Sequence, residues 1–378
     1  MRKFITLIAT LLTLATMAQQ QVNNNRLMVN KLDGTSDVFV VDSIHEITFD
    51  VIAQAQAPAT LIDADDSSVR ARVTMTEGCA RYEVACYAAA DQPDSIAAYV
   101  HDNALFNRKK AGSVEFVNLI PATDYVIASL AYDKYGLPCD VATLPFTTAQ
   151  RGEQAPAQVG DFLFSDGTWG STLSSNKVPV AIVYSTSVTE ADAARGYTHG
   201  YAVALGELDG QAWTTQANEN ESGSTVSTDG SDLADRDGLS HTLTLLVDSD
   251  THPAAAAAQG YAATPYATSG WFLPAAGQWI DVLANLGGLN ATGFTRDEVS
   301  GIATWEKEDA AACVAAFNAR LATAGTGNYT PLNQSYYWTS SERSVATAFY
   351  LYVNANFNLS MQTYYKDSKF GIRPLIAF

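Results

Sequence analysis

Basic residues are scarce in this chain. Its 378 residues include 22 Lys and Arg against 40 Asp and Glu, a formal net charge of −18. Nucleic acids and anionic membrane surfaces are held by clustered positive charge, and no basic run occurs. Charge of either sign is sparse, 16% of residues against the usual quarter or so. The four cysteines, Cys79, Cys86, Cys139 and Cys313, do not make a disulfide scaffold. Cys79 and Cys86 read either as a pair in an oxidising compartment or as two buried thiols. No CxxC offers a thiolate zinc site. The five histidines, His45, His101, His199, His241 and His252, are scattered, with none at the spacing of H-E-x-x-H. There is no G-x-S-x-G and no phosphate-cradling glycine loop. Asp232, Asp235 and Asp237 lack the later bidentate Glu of an EF-hand loop and read as a solvated acidic loop. No metal, cofactor or catalytic constellation is expected.

Long apolar runs are also lacking beyond the N-terminus, so no transmembrane anchor is expected. Arg2 and Lys3 precede the apolar run Phe4–Met17, and Thr16-Met17-Ala18 offers a small-residue cleavage site. Residues 1–18 therefore read as a signal peptide, and the protein as secreted or displayed at the cell surface. No Cys follows the cleavage site to take a lipid.

Apolar residues make up 47% of the chain, enough for folded cores in more than one domain. The pattern along the chain predicts four stretches after the signal. In 19–50, Leu27-Met28-Val29 and Asp37–Val41 flank Asp33-Gly34, a hairpin signal. Ile44–Phe49 adds a short strand. This stretch resembles the leader module of many secreted proteins of Gram-negative anaerobes. In 51–149, short strands at regular intervals predict an all-β sandwich. Within it, Leu119-Ile120-Pro121-Ala122-Thr123-Asp124-Tyr125 resembles the tyrosine corner of fibronectin type III domains. The closing Leu144–Thr148 fits that family's last strand, and such domains usually act as spacers. Residues 150–158 are polar, with one Gly and one Pro, and read as a linker.

Residues 159–378 differ in kind, and all six tryptophans lie there. Residues 216–240, rich in Asn, Ser, Thr, Gly and Asp, read as long loops. Trp279, Ile280, Leu283 and Leu286 recur at helical spacing over 276–286, and Gly287-Gly288 ends the run. Cys313, Phe317 and Leu321 do the same over 308–323. Two helices followed by terminal strands predict an α+β domain.

In 349–361 the pattern changes to strict alternation. Phe349, Leu351, Val353, Ala355, Phe357, Leu359 and Met361 are apolar, while the residues between them are only Tyr, Asn or Ser. Period two puts one face in a core and the other in solvent. One strand of this length would be unusual, so a turn at Asn354-Ala355-Asn356 is expected to fold it into a hairpin. The outward face would present Tyr350, Tyr352, Asn358 and Ser360, followed by Tyr364 and Tyr365. Tyr supplies rigid contact area with a polar tip, and Asn and Ser supply adaptable hydrogen bonds, the chemistry of antibody paratopes.

Gly270-Trp271-Phe272-Leu273-Pro274, Gly277-Gln278-Trp279, Tyr337-Trp338-Thr339-Ser340-Ser341-Glu342 and Gly371-Ile372-Arg373-Pro374 follow one another in this order. Together they resemble a C-type-lectin-like fold of the branch shared with formylglycine-generating enzymes, and more narrowly the variable proteins of diversity-generating retroelements. The resemblance implies a multidomain protein, an all-β N-terminal sandwich plus an α+β C-type-lectin-like C-terminal domain. It also implies that template adenines are copied with errors into C-terminal codons, so that Asn codons become Tyr, Ser, Phe or Asp without a stop. The implied variable, ligand-binding face comprises Arg343, Tyr350, Tyr352, Asn354, Asn356, Asn358, Ser360, Tyr364, Tyr365, Asp367 and Phe370. Trp271, Trp338, Glu342 and Arg373 are implied as its frame, with a buried contact between Glu342 and Arg373. The oxidases of the branch use two cysteines near the end of the fold, but none follows Cys313 here. Calcium-dependent lectins carry Trp-Asn-Asp, which is also absent. The expected function is non-enzymatic binding of a protein or glycan on another cell, a phage or a host surface. The alternatives are a static glycan-binding adhesin and a structural surface or pilus subunit.

Overall fold

The computed structural model describes residues 26–31, 34–41, 44–47, 54–173, 177–216, 221–223, 231–297, 302–333, 335–354 and 358–378. The expected signal peptide, residues 1–18, lies outside the described residues. The chain divides into two compact units, Met1–Ala53 and Gln54–Phe378.

In the first unit, Arg26–Asn30 pairs antiparallel with Ser36–Val40, Arg26 opposite Val40 and Asn30 opposite Ser36. Gly34 takes the left-handed φ of 84° that the turn requires. Ile44–Ile47 is not a strand, contrary to the expectation for Ile44–Phe49, and Thr48 and Phe49 fall outside the described residues.

The second unit begins with a seven-stranded sandwich. One sheet has the order Ala59–Ala64, Val69–Val73, Gly112–Phe116, and the other Phe106–Arg108, Arg81–Ala88, Asp124–Tyr132, Pro138–Thr147. Alternate residues Val69, Ala71 and Val73 face Tyr82, Val84, Ile127 and Phe146 across the core. The backbone N–H of Ile120 donates to the Tyr125 hydroxyl at 2.9 Å. This is the corner that its sequence announces, and the sandwich is fibronectin type III-like. It is not purely β. Ser95 caps a short helix, Ile96–Asn103, by accepting from the Ala98 amide. That helix seats Val100 on the outer face of the larger sheet, against Ala85, Ala128 and Leu130.

Residues 150–158 have no helix or strand, yet they are pinned. Arg151 Nε donates to Asp66 at 2.9 Å and its Nη2 to the Asp166 carbonyl at 2.8 Å. The Trp169 indole donates to the Ala155 carbonyl at 2.9 Å. Beside them, the Ser67 hydroxyl donates to the Asp166 carboxylate at 3.2 Å. These bonds join the sandwich to the residues beyond.

The rest of the unit holds two sheets around a shared core. The six-stranded sheet has the order Trp169–Gly170, Phe162–Phe164, Pro179–Ser185, Tyr201–Ala204, Leu375–Ala377, Trp271–Phe272. The seven-stranded sheet has the order Leu208–Ala212, Lys369–Ile372, Ser335–Glu342, Thr347–Val353, Leu359–Tyr365, Ala303–Trp305, Phe294–Arg296. The helices Ala276–Gly287 and Lys307–Ala322 lie at the two stretches read from sequence. They bury Trp279, Leu283, Cys313, Phe317 and Leu321 among residues of both sheets. The two helices can approach because Gly287 has no Cβ. One built there would lie 2.6 Å from Cys313 Sγ. Gly288 then ends the first helix at φ 72°. Three further helices, Glu190–Ala194, Gly238–Leu245 and Pro253–Gln259, were not legible as such. The last two roof part of the far face of the seven-stranded sheet. All four cysteines are free thiols.

Asp166 anchors the junction between the sandwich and these sheets. Its burial alone would raise its pKa, but bonds from the Thr168 hydroxyl and amide and from Lys177 outweigh that and hold it below the ordinary 3.8. A carboxylate depressed in the folded state adds stability above its unfolded pKa and loses it as pH falls through the folded one. The urea midpoint is therefore expected to drop more steeply below pH 3.8 in the native chain than in D166N. Parallel curves would show that the carboxylate does not stabilise the junction.

Candidate functional site

The seven-stranded sheet has two unlike faces. Phe349, Leu351, Val353, Leu359 and Met361 are at most 1% exposed and pack toward the two helices. The alternating positions point the other way. Tyr336 lies opposite Tyr352, and Trp338 opposite Tyr350. Tyr350 in turn lies opposite Gln362, and Tyr352 opposite Ser360. Cross-strand pairs of this kind each contribute about 0.2–1 kcal/mol.

The rings form one continuous layer. Tyr336 stacks on Tyr352 at 4.9 Å and 10°, and on Phe370 at 4.9 Å and 21°. Phe370 lies 4.4 Å from Trp338, 4.8 Å from Tyr350 and 5.6 Å from Tyr364. Tyr365, next in the strand and so on its other side, meets Tyr364 edge-on at 5.7 Å. Tyr336, Tyr364 and Tyr365 are 43%, 47% and 61% exposed, and Tyr352 and Phe370 are half-buried. The face that the alternation predicted is present, but two of its members are not exposed. Tyr350 and Ser360 are buried. The Tyr350 hydroxyl donates to Gln362 Oε1 at 2.8 Å, and Gln362 Nε2 donates to Ser360 Oγ at 2.6 Å. Burial, with the neighbouring tyrosines, pushes the Tyr350 phenol up to about 12, so it stays a neutral donor. Tyr350 is enclosed because its strand is central, and Ser360 because Thr304 on the next strand lies opposite it.

The other expected site residues are spread along the sheet. The hairpin register pairs Val353 with Leu359, and most of the expected turn Asn354-Ala355-Asn356 lies outside the described residues. Asn354 Oδ1 accepts from the Asn358 amide at 3.0 Å, and both residues are half-buried. Asn356 lies outside the described residues. Arg343 sits half-buried in the turn after Ser335–Glu342, its amide bonded to the Thr347 carbonyl at 2.9 Å. Asp367 is exposed in the turn after Tyr365. Thus Tyr336, Tyr350, Tyr352, Tyr364 and Phe370 come together, while Arg343 and Asp367 lie at the strand ends. Tyr336 and Gln362 were missed. The signal for Tyr336 was its spacing from Trp338, two residues on, which shares its face.

The frame differs from expectation. Glu342 and Arg373 do not pair. Arg373 is buried, donating to Glu207 and the Thr330 carbonyl at 2.8 Å each. Glu342, also buried, accepts from Lys366 Nζ at 2.7 Å and from the Ser222 amide and hydroxyl at 2.7 Å each. Lys366 also reaches Glu221 at 2.8 Å and lies 4.6 Å from the Trp213 ring centre. His252 Nε2 is 3.3 Å from Glu221. Trp338 is buried and donates its indole N–H to the Gln211 carbonyl at 2.9 Å. Trp271 belongs to a different core, on the six-stranded sheet.

Among the described residues no group of three or more His, Cys, Asp and Glu is placed to hold a metal. No described helix is long and apolar enough to cross a membrane. No protein-family model matches the chain, and no curated protein matches it. Among solved structures the chain is similar to a fimbrial protein from Bacteroides ovatus, at 14% identity, over 93% of this chain and 75% of that one, with a TM-score of 0.43. It is also similar to the fn3 domain of the human collagen alpha-1(XX) chain, at 15% identity, over 28% of this chain and 96% of that one, with a TM-score of 0.22. A third is the fn3 domain of human contactin 1, at 16% identity, over 32% of this chain and 99% of that one, with a TM-score of 0.18.

The Lys366 cluster ties the turn after Tyr365 to the end of Ser335–Glu342 and to residues 221–222. Removing one partner of a buried ion pair strands the other charge, at about 3–5 kcal/mol. K366M is expected to lower unfolding stability by about that amount in urea titration. A loss below about 1 kcal/mol would show that the cluster does not hold the face.

Proposed function

We propose that this is an exported, non-catalytic binding protein that recognises a macromolecular ligand through the tyrosine face of its seven-stranded sheet. The observation that carries the reading is the layer of Tyr336, Tyr352, Tyr364 and Phe370 around a buried Tyr350. It is uncharged in a chain of net charge −18 and is backed by a rigid sheet. Rigid aromatic rings give contact area at little entropic cost, and their hydroxyls supply directional bonds. The fibronectin type III-like sandwich serves as a spacer.

The finer reading is a C-type-lectin-like variable protein of a diversity-generating retroelement. The separation of roles along the hairpin supports it. Alternate residues fill the core, and the residues between them can change without disturbing it, Tyr350 and Ser360 excepted. Sequencing the DNA beside the gene tests this. The expected result is a near-copy of the codons for 338–373 next to a reverse transcriptase, with mismatches only where the copy has adenine. Absence of a copy would leave a static protein or glycan site on the same face.

A structural surface subunit is the second reading. The hairpin of the first unit favours it, because Met28, Val29, Val38, Phe39 and Val40 are all more than 40% exposed, and such strands invite pairing with another chain. Light scattering on the purified protein separates the two. A monomer fits the binder, and growth into multimers fits the subunit.

A further inference from the structure

At the end of the tyrosine hairpin a lysine, two glutamates and a histidine are enclosed together. Lys366 Nζ lies between two carboxylates, 2.7 Å from Glu342 Oε1 and 2.8 Å from Glu221 Oε2. The Lys366 and Glu342 side chains have no exposed surface, and that of Glu221 is 6% exposed. The two carboxylates have different surroundings. Glu342 Oε2 accepts from the amide and the hydroxyl of Ser222 at 2.7 Å each, and its Oε1 from the Glu221 amide at 3.0 Å. Glu221 Oε1 instead faces His252 Nε2 at 3.3 Å. His252 Nδ1 is 2.9 Å from the Asp248 carbonyl, which can only accept, so Nδ1 carries a hydrogen. Nε2 and the Glu221 carboxylate would then meet as two acceptors unless a proton sits between them. Glu221 and His252 therefore share a proton, and the cluster holds a proton carrier directly beside an amine.

We propose that Lys366 and Glu342 condense into a side-chain amide, a modification that staples the hairpin covalently. Lys366 is the nucleophile and Glu342 the acceptor. Glu221, backed by His252, is the proton carrier, which completes an arrangement of nucleophile, base and orienting group. An Nζ at 2.7 Å from Oε1 stands about 3–3.5 Å from the carboxyl carbon, the separation of a reacting pair. Nζ bonds to Cδ, and the Cδ–Oε1 bond breaks. The ammonium gives up two protons, which Glu221 passes to Oε1, and both leave with that oxygen as water. The charges of the pair cancel, so no oxidant, reductant or further reactant is needed. Oε2 becomes the amide oxygen. The Ser222 amide and hydroxyl already point at it, and there they stabilise the negative charge that builds up during attack. In water the condensation of a carboxylate with an ammonium is opposed by hydrolysis. A fixed pair reacts as though its partner were present at about 10⁵–10⁸ M, and enclosure keeps water from reversing the step. Condensation also removes two buried charges that are costly to hold. The bond joins the end of Ser335–Glu342 to the turn after Tyr365, closing both strands of the tyrosine hairpin into one loop. The four cysteines are free thiols, so this bond serves where no disulfide does.

Mass spectrometry of the purified full chain, denatured in urea, tests this, with K366R prepared alongside. The native chain is expected to be lighter than the sequence it carries by one water, and K366R to match its sequence. A tryptic digest of the native chain is expected to yield a branched peptide joining residues 321–343 to 344–369 through Glu342 and Lys366, with no cleavage after Lys366. E221Q keeps the shape of the proton carrier but not its chemistry. It is expected to fold, by circular dichroism, and to keep its full mass. Full mass in the native chain, with 321–343 and 344–366 recovered as separate peptides, would overturn the proposal and leave an ion pair only. Loss of water from E221Q at the native yield would also overturn it, because the protons would then travel without Glu221.

Discussion

The register of the hairpin Thr347–Val353 and Leu359–Tyr365 is the constraint on which the site depends. With a period of two, a slip of one residue would turn Leu351, Val353, Leu359 and Met361 to solvent and the tyrosines into the core. Burying each such apolar side chain contributes about 1.5–3 kcal/mol, so the slip is strongly opposed. The ends of the hairpin are fixed separately. Asn354 and Asn358 bond each other at one end, and the Lys366 amide bonds the Ala346 carbonyl at the other. There Lys366 also enters the buried cluster with Glu342 and Glu221. A sheet held this firmly keeps its rings in place whatever side chains its outer face carries.

The same sheet divides its labour by depth. Tyr350 is buried and hydrogen-bonded, so it belongs to the floor of the face, with Trp338 and Phe370 beside it. Tyr336 and Tyr364 stand above that floor and are wet. Recognition therefore rests on Tyr336, Tyr352, Tyr364 and Phe370, which come from four strands rather than from the hairpin alone.

Much of this was legible in the sequence. The alternation over 349–361 revealed the buried face because one pattern repeats over many residues. The helix Ala276–Gly287 was legible from its apolar spacing and its terminal glycines, and the corner at Tyr125 from a short local motif. What failed was non-local. Glu342 and Arg373 carry opposite charge near one another in the motif order, but the parallel pair Tyr337–Gly371 sets the register between their strands. Arg373 lies two residues past Gly371, and Glu342 five past Tyr337. The chain then leaves at Pro374 to join the six-stranded sheet, which directs Arg373 to Glu207. The burial of Ser360 depends on a neighbouring strand, Ala303–Trp305, that no local pattern connects to it. The helix Ile96–Asn103 is too short for periodicity to mark, and only its Ser95 cap hinted at it.

The central claim is that the outer face is free to vary while the inner face is not. Surface display of the chain with each of positions 336, 352 and 364, and separately 351, 353, 359 and 361, fully randomised would test it most directly, with protease resistance as the readout of folding. The account predicts that most substitutions at Tyr336, Tyr352 and Tyr364 leave the chain resistant, whereas polar substitutions at Leu351, Val353, Leu359 and Met361 abolish resistance. Equal loss at both sets would contradict it, and would make the tyrosine layer a packing element rather than a recognition surface.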